Sequence, residues 1–228
     1  VALTEITLKV LPKKKLSNTI TIHTEDKKLI NELFEKISSS SSEISGAVFI
    51  PEEPEDENYD RNKEKVFKFN DLESKGSFLA LRVEGDKISI NEKIKTLTNE
   101  LTLDKLNSTI LDVHQSTPFW TKINNLELFK ATKNNLLRVV IPPSMGNKLM
   151  QYLGNKYKYC IDWCGSLYWI EVQAKKNIKV GEIKKLIKEM GGYLTIIKIS
   201  NEFDYEETIF TVDDIRLLIS EKIKKSFD

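Results

Sequence analysis

The apolar residues of this chain recur either at every second position or along one face of a helix, and the switches between these two patterns divide it into elements. VALTEITLKVLP places Leu3, Ile6, Leu8 and Val10 in a strand-like pattern at the start, with no turn or cap before it. TITIHT (Thr19 to Thr24) alternates likewise, and DKKLINELFEKI sets Leu29, Ile30, Leu33, Phe34 and Ile37 on one helical face. A serine run, Ser38 to Ser42, closes that helix. EISGAVFIP (Glu43 to Pro51) reads as a strand, and the acidic PEEPEDENYDRNKEK that follows has no apolar face and reads as a mobile loop. FLALRVEG (Phe78 to Gly85) is again a strand, a helix follows with Ile90, Ile94, Leu97 and Leu101 inward, and STILDV (Ser108 to Val113) ends the set.

The second half repeats that order: LLRVVI as strand, Ser144 to Leu153 as helix, YKYCIDW and SLYWIEV as a hairpin, Val180 to Met190 as helix, YLTIIKI as strand. Pro143 suits a first helical turn and Ser144 a cap. Two consecutive βαββαβ units predict a duplicated ferredoxin-like α+β domain, an antiparallel sheet covered by helices on one face. Element order, not identity between the halves, carries that prediction. The connecting segment HQSTPFWTKINNLELFKATKN, with Pro118, Phe119 and Trp120, is too apolar for free solvent. A last helical pattern with Ile215, Leu218, Ile219 and Ile223 runs to Phe227 and Asp228 without a C-cap signal, so the chain reads as a piece of a longer protein.

A length of 228 residues allows a sizeable core in one large domain or two small ones. With 35 basic against 34 acidic residues there is no global field to concentrate nucleic acid or an anionic membrane. Cys160, Cys164, His23 and His114 are all the soft ligands the chain owns, and their spacing makes no zinc site, so no metal is expected. The two cysteines read as small thiols beside a turn in a reducing compartment. No apolar run approaches the ~20 residues of a membrane span, no signal peptide is evident, and direct membrane insertion is not expected.

Arg138 is the first site candidate, because a guanidinium inside the apolar run Leu136 to Ile141 is costly to desolvate alone. It implies a carboxylate or anionic ligand nearby; an exposed position, or a pair with an internal acid such as Asp162, stays open. Trp163 and Trp169 flank the turn Cys164 to Ser166, and alternation puts Trp163 with Ile161 on one face and Asp162 with Cys160 on the other. Either these indoles and Trp120 pack the core, or they wall a flat cofactor or small substrate. Tyr193 could donate a hydrogen bond or pack in the core, and Gly191 and Gly192 fit a helix C-terminal cap. Neither GxGxxG nor a phosphate loop is present, and no Ser-His-acid set can be assembled, so the catalytic residues stay unassigned. The residues alone favour a binding role, and the aromatics Tyr157, Tyr159, Trp163, Tyr168 and Trp169 could stack bases if they line an exposed strand face. The near-neutral charge speaks against nucleic acid.

LLRVVIPP (Leu136 to Pro143), IDWCGSLYW (Ile161 to Trp169), GGYLTIIKI (Gly191 to Ile199), ISGAVFIP (Ile44 to Pro51), LRVEG (Leu81 to Gly85) and PFW (Pro118 to Trp120), taken in order, resemble the C-terminal half of the glycolate oxidase FAD-binding subunit family, GlcE. These proteins belong to the FAD-linked oxidases of vanillyl-alcohol oxidase type. The resemblance implies residues 1–16 as the last strand of a missing FAD-binding domain and 17–200 as the cap or substrate domain, with halves 17–115 and 125–200. It implies 201–228 as a helical segment returning toward the FAD domain. It further implies FAD in the full-length protein and none in this piece, a small 2-hydroxy acid such as glycolate as substrate, and partnership with a second flavoprotein subunit and an iron-sulfur subunit. A cytoplasmic location follows, at the inner membrane where partners hold it there. Arg138 would then steer the substrate carboxylate, with Trp163, Trp169, Trp120 and Tyr193 shaping its pocket. Cys164 departs from the glycine common after the Asp-Trp pair, Tyr193 from the histidine common after Gly-Gly, and Phe49 from a histidine common at its place. The alternative is a noncatalytic ferredoxin-like binding or subunit-assembly module.

Overall fold

The computed structural model describes residues 3–10, 14–52, 76–130, 132–173, 177–200 and 214–227. Over these the chain is α+β: an eight-stranded sheet, antiparallel at every pairing, in the order β4-β1-β3-β2-β6-β7-β5-β8. The first half supplies β1 (Leu16–His23), α1 (Lys27–Ser39), β2 (Gly46–Ile50), β3 (Phe78–Gly85), α2 (Lys87–Glu100) and β4 (Asn107–Leu111). After α3 (Val113–Asn124) the second supplies β5 (Asn135–Val140), α4 (Gly146–Leu153), β6 (Lys158–Asp162), β7 (Leu167–Val172), α5 (Asn177–Glu189) and β8 (Tyr193–Lys198). A final helix, α6, spans Asp214–Phe227. The halves meet edge to edge between β2 and β6, where Phe49 faces Ile161.

One face of the sheet carries the main core. Ile20, Ile22, Leu79, Leu81, Phe49, Ile161, Tyr168, Ile170, Leu137 and Val139 point to it and are sealed by the apolar stripes of α1, α2, α4 and α5. In α1 the stripe is Ile30, Leu33, Phe34 and Ile37, and Asp26 starts the helix by accepting from the backbone N–H groups of Lys28 and Leu29. Asp86 caps α2 in the same way through Ser89. Ser144 caps nothing: Pro143–Met145 form a single tight turn and α4 starts at Gly146 without a side-chain cap.

The opposite face is only partly covered, and the cover comes from the connecting segment. Asp112 and Gln115 form a reciprocal capping box that starts α3, at 2.8 Å and 3.0 Å from the Asp112 carboxylate to the N–H groups of His114 and Gln115. The helix continues through Pro118 and lays Phe119, Trp120 and Ile123 on Val48, Phe78 and Ala80. The expectation of helices on one face only is corrected by this contact. Residues 3–10 take no regular structure, and Leu3, Ile6, Leu8 and Val10 are exposed; the rest of the strand expected over 1–16, up to 13, lies largely outside the described residues. The loop expected after Pro51 falls largely outside the described residues.

Candidate functional site

Register places Cys160, Trp169, Arg138 and Thr195 in one line across β6, β7, β5 and β8, so all four side chains leave the sheet on the face away from the main core. The two halves treat this face differently. In the first, α3 seals it: Thr19, Thr21 and Ala80 are buried beneath Trp120 and its neighbours. In the second, the short turn Glu127–Phe129 packs with Leu136 and Cys160, and Arg138, Trp169 and Thr195 are half-buried.

Arg138 makes neither an ion pair nor a hydrogen bond with any described residue. Its neighbour is an indole: the guanidinium carbon lies 5.2 Å from the centre of the Trp163 ring. The internal partnership with Asp162 therefore does not form. Burial pushes the Asp162 carboxyl above the usual carboxylate range, an effect partly offset by the Trp163 N–H that donates to its Oδ1 at 2.7 Å.

Trp163 corrects the alternation argument. Its φ of +51° is left-handed, as is that of Cys164 at +50°, and Gly165 follows at +90°. The strand period ends at Asp162, and the indole meets Arg138, whose face is opposite to that of Ile161, rather than joining Ile161 in the core. Trp163 is 56% exposed, the largest exposure of any tryptophan here.

Trp169 joins this cluster and also lines a shallow apolar depression of about 20 Å³, room for little more than a water, with Val48, Ile123, Phe129 and Cys160, while Asp162 and Lys122 bring polar atoms to it. Trp120 is elsewhere: it is buried under α3 and donates its Nε1–H to Thr19 Oγ1 at 2.8 Å. Thr19 shares a hydrogen bond with Ser116, Ser116 with Ser17, and Ser17 accepts from Arg82, which pairs with Glu84 at 2.8 Å. That network is complete and internal. Tyr193 opens the edge strand β8, half exposed, its hydroxyl accepting from Arg216 of α6 at 2.9 Å. Arg138, Trp163 and Trp169 thus come together, Tyr193 sits at the rim of the same face, and Trp120 stands apart.

Tyr157, Tyr159 and Tyr168 are buried in the main core, so the base-stacking platform of five aromatics does not exist as a surface. Glu171, a buried carboxylate on the Trp169 face, carried no signal in the residue pattern. Asn134 donates to its Oε1 at 2.6 Å, and its Oε2 has no hydrogen-bond partner among the described residues. Burial raises the Cys160 and Cys164 thiols, which keeps them protonated. No group of side chains able to hold a metal occurs among the described residues, and none of their helices is long and apolar enough to cross a membrane.

No known family model matches this chain, and no curated protein matches it either.

Proposed function

We propose that this chain is the substrate-binding cap of a GlcE-like, FAD-dependent subunit that oxidises a small 2-hydroxy acid such as glycolate to the 2-oxo acid, with Arg138 taking the substrate carboxylate. The observation that carries this reading is a half-buried guanidinium, on the sheet face away from the main core, that pairs with no carboxylate among the described residues. A guanidinium forks onto a carboxylate through paired N–H donors, and a central strand holds it rigidly. Beside it Trp163 and Trp169 offer flat apolar surface that excludes water from one side of a small acid.

The finer architecture belongs to the same reading. Counted within each half, the strands run 4-1-3-2 outward to inward on both sides of the β2–β6 seam, as two ferredoxin-like units joined at their second strands would.

FAD would supply the hydride acceptor. The described residues do not fit a seat for its pyrophosphate: Gly76, Gly154, Gly165 and Gly191 have positive φ but stand at separate turns, with no glycine-rich loop opening a helix. The dinucleotide would be held elsewhere in the complete protein, and the share of this chain is to bind and orient the acid. A second flavoprotein subunit and an iron-sulfur subunit are the partners this reading carries.

The test is anaerobic mixing of the complete protein with glycolate. Bleaching of the oxidised flavin absorbance is expected; an unbleached flavin in an intact complex would count against the reading. The second reading, an assembly module, draws on the exposed Ile215, Leu218, Ile219 and Ile223 of α6. Reconstitution with a flavin-free form of this subunit separates the two: retained turnover favours assembly.

A further inference from the structure

Arg138 has a long, flexible side chain, and a guanidinium free to rotate would bind a small acid poorly because the rotamers must be frozen on binding. The structure shows what limits that freedom. The guanidinium carbon lies over the Trp163 ring, 5.2 Å from its centre, and the ring sits there where the backbone turns left-handed immediately after β6.

Two successive non-glycine residues in the left-handed region are strained, and such a conformation persists only where its surroundings over-determine it. Here four contacts do so. Asp162 Oδ1 accepts the Trp163 N–H at 2.7 Å, and Trp163 O accepts the Ser166 N–H at 3.2 Å. Cys164 packs on the main core, while Gly165 passes so close to Phe34 that an added Cβ would lie 3.3 Å from its ring. The turn is thereby packed against α1.

We infer that Trp163, held by Asp162, is a positioning residue that orients the Arg138 guanidinium, so that its donor edge is presented to a bound carboxylate. Stacking occupies the flat face of a guanidinium and leaves the N–H edge available, which is the geometry that planar carboxylates recognise. Asp162 acts through Trp163 and needs no contact with the ligand. This inference rests on the reading of Arg138 as the carboxylate-binding group.

The experiment is a glycolate titration of the full chain followed through the Arg138 Nε–Hε resonance. In parallel, KM and kcat for glycolate are measured in the assembled complex. Trp163→Gly and Trp163→Asn both tolerate left-handed backbone and delete the ring; each is expected to weaken glycolate binding about 10-fold and to raise KM more than it lowers kcat. Trp163→Phe should recover most of the loss. Asp162→Ala should resemble the ring deletions, whereas Asp162→Asn, which keeps an acceptor oxygen, should stay within about threefold of the parent. Parent-like binding by both ring-deletion variants, or failure of phenylalanine to rescue, overturns the inference. If Arg138→Ala also binds like the parent, or the parent chain shows no shift at all, the reading of Arg138 itself has failed.

Discussion

The guanidinium of Arg138 lies 5.2 Å from the centre of the Trp163 ring, and no carboxylate of the described residues pairs with it. A half-buried cation beside an aromatic, with no carboxylate of the described residues to pair with, is an unfinished interaction among those residues. Finishing it with a ligand carboxylate is the economical account of why it is there.

Asp162 carries a pH signature. Its carboxyl is raised by burial, so the folded chain holds that proton to higher pH than the unfolded chain does. Its ionisation therefore opposes folding. Stability contributed at this position is fullest below the unfolded carboxylate pKa and falls as pH rises through the folded one. In urea titrations from pH 3 to pH 8, Asp162→Asn should gain on the parent as pH increases and match it in acid. A gain confined to acid would contradict this.

Trp120 should behave as a core residue. Trp120→Phe removes the donor to Thr19 Oγ1 within a buried network and should cost about 1–2 kcal/mol of stability. Glycolate KM should be unchanged in the assembled complex. A raised KM with unchanged stability would return Trp120 to the binding site.

The adjacent glycines after α5 differ in what they need. Gly191, at a φ of +71°, has open space where a Cβ would go, so alanine there meets only backbone strain, about 1 kcal/mol. A Cβ on Gly192 would lie 2.6 Å from the Val140 carbonyl oxygen and 2.7 Å from Ile141, so Gly192→Ala must push β5 and should cost about 1–3 kcal/mol. Chemical denaturation of the two variants should rank them in that order.

Much of this was legible in the chain and some was not, for physical reasons. Leu29, Ile30, Leu33, Phe34 and Ile37 announce α1 because a helix facing a sheet needs one continuous stripe, and the short apolar run from Phe78 to Val83, buried on both faces, is equally direct. The connecting segment hid α3, since Pro118 argues against a helix interior while the capping pair Asp112 and Gln115, the available signal, is short. Arg138 could be singled out from its apolar neighbours. The direction of Trp163 could not, because periodicity assumes that the backbone stays extended, and the left-handed turn at Trp163 and Cys164 breaks that assumption. Tyr157, Tyr159 and Tyr168 illustrate the reverse: an aromatic-rich hairpin suggested a surface, and the packing of α4 and α5 made it a core.

The most direct measurement is kcat/KM for glycolate in the assembled complex with Arg138→Ala. Loss of a charge-assisted contact worth about 1.5–3 kcal/mol should lower it roughly 10-fold to 100-fold, with Arg138→Lys in between and the fold intact by circular dichroism. A value equal to that of the parent would show that the guanidinium beside Trp163 binds no substrate.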